Sequence, residues 1–130
     1  MGYLLDTNVM IALFKNDHRI WERVRRYHVK DFAISIVTLH ELYYGAYYSD
    51  HVEANLQKLA NIPFDALELG LEDARCAGNI RAVLTRAGTP IGPLDTLIAG
   101  QAVARGLTMI TRNVREFARV ERLRVENWEE

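Results

Sequence analysis

Apolar positions fall into two regimes along the chain. Short, dense apolar runs rich in Val, Ile, Leu and Phe stand at 2–5, 32–36, 62–67, 107–111 and 123–125. Between them lie longer stretches in which apolar residues recur every three or four positions. The short runs predict buried strands, with Pro63 at the start or edge of the third and the run at 123–125 the weakest. The longer stretches predict helices at 9–14, 17–28, 38–48, 50–60, 68–87 and 94–104, and a helical turn at 113–117. In 17–28, Ile20, Trp21 and Val24 share one face, with Arg19, Glu22, Arg23, Arg25 and Arg26 mostly opposite. Thr38 is placed to cap its helix, with Glu41 three residues on as the partner in a capping box. Gly88 and Arg105-Gly106 read as helix stops. Strands separated by helices imply an α/β fold: a mostly parallel sheet of four to five strands flanked by helices on both faces. The only clear loop cluster is Thr89-Pro90-Ile91-Gly92-Pro93, and no repeat or linker interrupts residues 1–130, so a single domain is expected.

Charge narrows the function classes. Sixteen Lys and Arg against 17 Asp and Glu leave a net charge of -1, and the pI is near 6.4. Binding of a polyanion through bulk charge is thereby excluded, so any such contact must be local. The single Cys76 cannot form an internal disulfide and reads as a small buried residue in a reducing compartment. The absence of an 18-residue apolar stretch argues against a membrane span or leader and for a cytoplasmic protein.

In a parallel α/β sheet, ligands collect beyond the carboxyl ends of the strands. Asp6 follows the first predicted strand directly, Glu41 lies five residues past the second, and Asn113 and Glu116 follow the fourth. Asp95 opens the helix at 94–104. These acids interrupt apolar stretches, where an isolated carboxylate is costly to desolvate. Gathering them around a divalent cation removes that cost. Three or four carboxylates without a Cys or His cluster suit Mg2+ or Mn2+, and such an ion suits phosphoryl chemistry. Each acid also has an ordinary structural reading: Asp6 as a helix cap, Glu41 as the capping-box partner, Asp95 as a first-turn acid, Glu116 as a solvated charge beside Arg115 and Arg119. His40-Glu41-Leu42-Tyr43-Tyr44 has Tyr where a zinc-protease helix needs its second His, and no phosphate-binding glycine loop or Ser elbow occurs.

Four segments together resemble a known family. Leu4-Leu5-Asp6-Thr7-Asn8, Ile34-Ser35 with Glu41-Leu42-Tyr43-Tyr44-Gly45-Ala46, the run from Gly88 through Pro93-Leu94-Asp95-Thr96 to Gly100, and Thr111-Arg112-Asn113-Val114-Arg115-Glu116-Phe117 are similar, in order, to the PIN-domain ribonucleases of the VapC toxin type. The resemblance implies a PIN-like fold and a metal-dependent endoribonuclease, the toxin of a bacterial toxin–antitoxin pair, cutting RNA such as tRNA. It implies that Asp6, Glu41 and Asp95 hold Mg2+ or Mn2+. Asn113 stands where many PIN domains have a fourth acid, so either Asn113 contributes a neutral oxygen or Glu116 reaches in from one helical turn later; Glu116 is the favoured of the two. Thr7, Asn8 and Thr111 would orient the carboxylates or water.

The same resemblance implies a homodimer, a VapB-type antitoxin lying across the active groove, a larger toxin–antitoxin assembly, and contact with DNA only through the antitoxin. Tyr43, Tyr44, Tyr47 and Tyr48 form an aromatic stripe whose first expectation is core packing, with a dimer or antitoxin surface as the alternative. Thirteen of the 16 basic residues are Arg, suited to bidentate phosphate contacts, and Arg81, Arg86, Arg112 and Arg115 flank the carboxylate motifs as candidate RNA contacts. Two other readings stay open on the residues alone: a catalytically idle dimeric binding subunit of an antitoxin and DNA-repressor complex, and a small-molecule phosphohydrolase.

Overall fold

A computed structural model describes residues 2–130. In chain order the elements are β1 (Tyr3–Leu5), α1 (Thr7–Phe14), α2 (His18–Val24), a 3-10 turn (Val29–Asp31), β2 (Phe32–Ser35), α3 (Ile36–Tyr48), α4 (Val52–Ala60), β3 (Asp65–Leu67), α5 (Leu71–Arg86), α6 (Pro93–Arg105), β4 (Thr108–Ile110), α7 (Val114–Phe117) and β5 (Val125–Glu126). All the pairings are parallel, and the strand order is β3-β2-β1-β4-β5. The chain therefore builds outward from β1 in one direction, then crosses to the other side of β1 for β4. The reversal opens a crevice beyond the carboxyl ends of β1 and β4.

Alternation along the strands divides the core into two layers. Leu5, Ile34 and Ile110 point to the layer shared with Val9, Met10, Leu13, Ile20 and Leu42 of α1–α3. Their neighbours Leu4 and Met109 point the other way, against Ile80, Leu84, Ile98, Ala102 and Phe117 of α5–α7. Helices α5 and α6 approach so closely at Gly100 that a Cβ there would stand 2.5 Å from the Ala77 backbone nitrogen. Trp128 is 1% exposed and seals the first layer, its ring 5.0 Å from Tyr3 and 5.6 Å from Tyr27.

Several predicted boundaries shift, each for a local reason. Helix α3 starts at Ile36, because Ser35 Oγ, at the last residue of β2 to pair with β3, accepts the Val37 N–H at 3.1 Å. Thr38 is consequently inside the helix, its buried hydroxyl without a partner, and the expected Thr38–Glu41 capping box is not formed. Helix α2 ends at Val24 instead of continuing to residue 28, and the chain turns toward β2 through the 3-10 turn, closed by Asp31 accepting the His28 N–H. Strand β3 excludes Pro63, which has no N–H to give the ladder. Helix α5 begins at Leu71, after Asp73 accepts the Gly70 N–H at 2.8 Å. Cys76 is half-buried, not buried as expected. No helix among the described residues is long and apolar enough to cross a membrane.

Candidate functional site

Asp6 is the residue at which β1 becomes α1. Its backbone N–H donates to Ile110 O at 3.0 Å, which clamps it to β4, and its side chain caps α1 through Oδ1 and the Thr7 N–H at 2.8 Å. The capping role and a site role therefore coexist, since Oδ2 is held separately. It accepts from Thr111 Oγ1 at 2.8 Å and from Asn8 Nδ2 at 3.3 Å. Asn8 in turn fixes the loop after β4, its Oδ1 accepting the Arg112 N–H at 3.1 Å. Thr111, fully buried, also receives the Asn113 N–H at 3.0 Å. Thr7, Asn8 and Thr111 thus form one hydrogen-bonded collar around a carboxylate that is only 4% exposed. Burial raises the Asp6 pKa more than these donors lower it.

Glu41 enters from α3, where Thr7 Oγ1 donates to its Oε1 at 2.7 Å. That bond connects the first turn of α1 to the second turn of α3. Asp95 lies in the first turn of α6, behind Pro93 at N1 and beside Gly92, where a Cβ would be 3.3 Å from Asp95 Oδ2. Burial and then the negative charges of Asp6, Glu116 and Glu41 push the Asp95 carboxyl up to about 6. Asp6 ahead of α1, Glu41 on α3 and Glu116 on α7 are therefore each near enough to repel Asp95 on α6, and Glu41 also repels Asp6. None of them takes part in an ion pair among the described residues. No three carboxylate, imidazole or thiol side chains among those residues are drawn together tightly enough to enclose an ion alone. An open all-oxygen set with unbalanced charge fits Mg2+, which keeps several waters and needs only one or two carboxylates.

Other predicted residues are spread more widely. Asn113 is exposed and sits at the N-terminal end of α7 without a side-chain capping bond. Glu116 is half-buried, and its charge reaches Asp95. Arg112 and Arg115 are exposed after β4, whereas Arg81 and Arg86 line a shallow depression on α5 with Gly78, Ala82 and Thr85 and none of the four acids. The tyrosine stripe does not pack into the core: Tyr43, Tyr44, Tyr47 and Tyr48 are between 42% and 81% exposed, in stacked pairs Tyr43–Tyr47 and Tyr44–Tyr48. Glu41 also borders a groove of about 270 Å3 between α1, α3 and α4, walled by Ile11, Phe14 and Leu59 with Lys15 and Lys58 at its side. Glu129, which no motif singles out, is buried 3.7 Å from Arg112. Only its place beside Trp128 in an otherwise polar terminus sets it apart in the sequence.

Comparison with known proteins places this geometry. The model of the PIN domain family matches residues 3–123. The chain is 41% identical over 130 residues to the tRNA(fMet)-specific endonuclease VapC of Shigella flexneri, covering 98% of each. It is 37% identical over 132 residues to the ribonuclease VapC2 of Haemophilus influenzae, again covering 98% of each. Among solved structures it superposes on a chain of the DNA-bound VapBC of Salmonella typhimurium with a TM-score of 0.93, at 41% identity and 98% coverage of both. A second match is VapBC2 of Rickettsia felis bound to a promoter DNA fragment, with a TM-score of 0.91 and 32% identity, covering 98% of this chain and 99% of that one.

Proposed function

The chain belongs to the PIN-domain family, and from that membership we propose that it is a divalent-cation-dependent endoribonuclease, the toxin of a toxin–antitoxin pair. The observation that carries the reading is the unbalanced group of Asp6, Glu41, Asp95 and Glu116 at the crevice beyond β1 and β4, where burial and then the charges of the other three raise Asp95 to about 6. Asp6, Glu41 and Asp95 would hold Mg2+ or Mn2+, with Glu116 in place of the acid that Asn113 lacks. When bound, such an ion supplies Lewis acidity toward a phosphodiester and lowers the pKa of water.

The chain's own residues set the geometry. Thr7 N–H, Thr111 and Asn8 occupy both oxygens of Asp6 and fix the plane of its carboxylate. Thr7 Oγ1 fixes Glu41 through one oxygen, which leaves Oε2 free to bind. Gly92 leaves room for the Asp95 carboxylate where any side chain would crowd it. Cutting would leave one phosphate end and one hydroxyl end. Relatives named for tRNA(fMet) support a tRNA as the substrate, and the VapBC assemblies among the structural matches support a VapB-type antitoxin as the partner. The exposed tyrosines of α3 and the groove beside Glu41 are the surfaces suited to that antitoxin or to a second copy of the chain. Incubation of the purified protein with folded tRNA should give discrete cuts with Mg2+ or Mn2+ and none with EDTA. Cutting by both Asp6→Asn and Asp95→Asn in EDTA would sink the mechanism.

A further inference from the structure

The cations of this chain are unevenly distributed. Residues 15–31 hold six of the 16 Lys and Arg against three acids, a local charge of +3, so the remainder of the chain carries -4. Within that segment residues 25–30 are exposed without interruption. Among the described residues, Arg25, Arg26 and Lys30 have no acidic partner. An ordinary solvated surface mixes both signs, whereas the charged residues of 25–30 are all cations.

Arg23 extends the same surface along α2, whereas Arg19 beside it is paired with Asp17, its Nη2 donating at 3.1 Å. Arg23 lies 3.9 Å from Glu126, with its guanidinium carbon 5.2 Å above the Trp128 ring. Arg112 lies 3.7 Å from the buried Glu129 and is 63% exposed. Both distances are too long for hydrogen bonds, so the two guanidiniums are oriented by charge while their N–H groups remain available. Asp17 dominates the raised proton affinity of Arg19 and Glu129 adds to it, which links α2 to the loop after β4. That loop is where the basic surface meets the acids, because the Arg112 N–H donates to Asn8 and Asn8 donates to Asp6.

We propose that Arg112, Arg23, Arg25, Arg26 and Lys30 form a docking track for the phosphate backbone of a folded RNA, leading its helical body away from the bond to be cut. The inference rests on the endoribonuclease reading and adds to it the surface that selects for size and folding. Charge argues for this occupant: a protein of net charge -1 gains attraction for a polyanion only where its cations are concentrated. Guanidiniums with free N–H groups match phosphate oxygens in pairs. A short single strand spanning only the acidic crevice would not reach Arg25, Arg26 and Lys30, so the track should distinguish long folded substrates from short ones.

The test uses the Asp95→Asn protein, so that binding is read without cutting. Affinity is measured for a tRNA-sized folded RNA, a short single-stranded RNA and a DNA duplex of matched length, between 50 and 200 mM salt. Adding Arg25→Glu, Arg26→Glu and Lys30→Glu should weaken folded-RNA binding by roughly tenfold and reduce the salt slope by about 2 to 3. The short RNA should change by less than about twofold on the same counterion argument. The milder Arg25→Gln with Arg26→Gln, melting like its parent, should give a smaller loss of the same kind. Unchanged affinity and slope, equal losses for long and short RNA, or a DNA duplex bound as tightly as the folded RNA would each overturn the proposal. Failure of the unmodified protein to cut RNA strikes the endoribonuclease reading instead, whereas a charge-reversed Asp95→Asn protein that binds like its parent strikes only the track.

Discussion

Asp73 and Asp95 occupy the same local position, the first turn of a helix, on the neighbouring helices α5 and α6. The helix dipole favours both alike, yet their proton affinities move in opposite directions. Burial raises Asp73, but hydrogen bonds from the Arg105 guanidinium, the Gly70 N–H and Gln101 outweigh it and hold the carboxyl below its usual range. The Arg105 fork reaches both oxygens, at 3.2 and 2.9 Å, and Gln101 Nε2 adds a third donor at 3.2 Å. Asp95 is raised by burial and then by three other acids, with no cation against it. Helix position therefore does not decide the fate of a partly buried acid; its tertiary neighbours do. The charge on the Asp73 side is balanced within the chain, while on the Asp95 side no cation of the described residues balances it.

Neutralising each acid in turn would break this contrast most sharply. Asp95→Asn should reduce RNA cutting by roughly 1,000-fold, the scale expected when a charge stabiliser is lost from a reacting centre. In EDTA it should melt no lower than the parent, because it removes repulsion. Asp73→Asn should do the reverse, retaining cutting per folded molecule while losing stability. A Asp95→Asn protein that cuts at the parental rate would remove the functional half of the comparison.

Removing the cation from the balanced side has the next largest effect. Arg105→Ala leaves Asp73, 3% exposed, with only Gly70 and Gln101 as donors. Stability in urea should fall by about 2 to 4 kcal/mol, somewhat under the usual cost of breaking a buried pair because Arg105 itself is 37% exposed. A loss under about 0.5 kcal/mol, the range of ordinary surface substitutions, would mean that Arg105 is dispensable to the balance. On the other side, Thr111→Val removes the shorter of the two hydrogen bonds to Asp6 Oδ2 without removing an acid. Its expected cost is about 10- to 100-fold in activity or in the Mg2+ concentration required, with titration of Mg2+ against rate separating the two.

The sheet and most of its helices are legible in the sequence because brief apolar runs and helical spacing follow directly from the two periodicities of the backbone. The capping of α3 is less so. Ser35 and Thr38 are both competent caps, and the choice falls to Ser35 because the ladder with β3 ends there. Once the cap moves, Glu41 loses its bland role and its Oε1 turns to Thr7, 34 positions away. The tyrosines show another limit, since periodicity says that side chains share a face but not whether the chain covers it. Proximity in sequence says little about Arg81 and Arg86, which precede the Asp95 motif and lie along α5 in a depression lined by none of the four acids. Asp6, Glu41, Asp95 and Glu116 were each named from strand ends and motif resemblance; their mutual repulsion required the fold.

The smallest effect gives the finest separation, because the two acids predict opposite pH slopes. Asp73 has its folded pKa lowered, so its contribution is present above the unfolded value near 3.8 and is lost as pH falls through the lower folded value. Asp95 has its folded pKa raised to about 6, so the folded state holds an extra proton between roughly pH 4 and 6 and loses stability as pH rises through that window. In EDTA, the melting temperature of Asp95→Asn should therefore draw above that of the parent as pH climbs from 4 to 7, by a few degrees for an effect on the order of 1 kcal/mol. Mg2+ should close that gap by stabilising the parent and not the variant, since a ligand that binds only the folded protein raises its melting point. A gap that is flat across pH 4 to 7, or one that Mg2+ leaves unchanged, would show that the repulsion at Asp95 is relieved by something other than a bound cation.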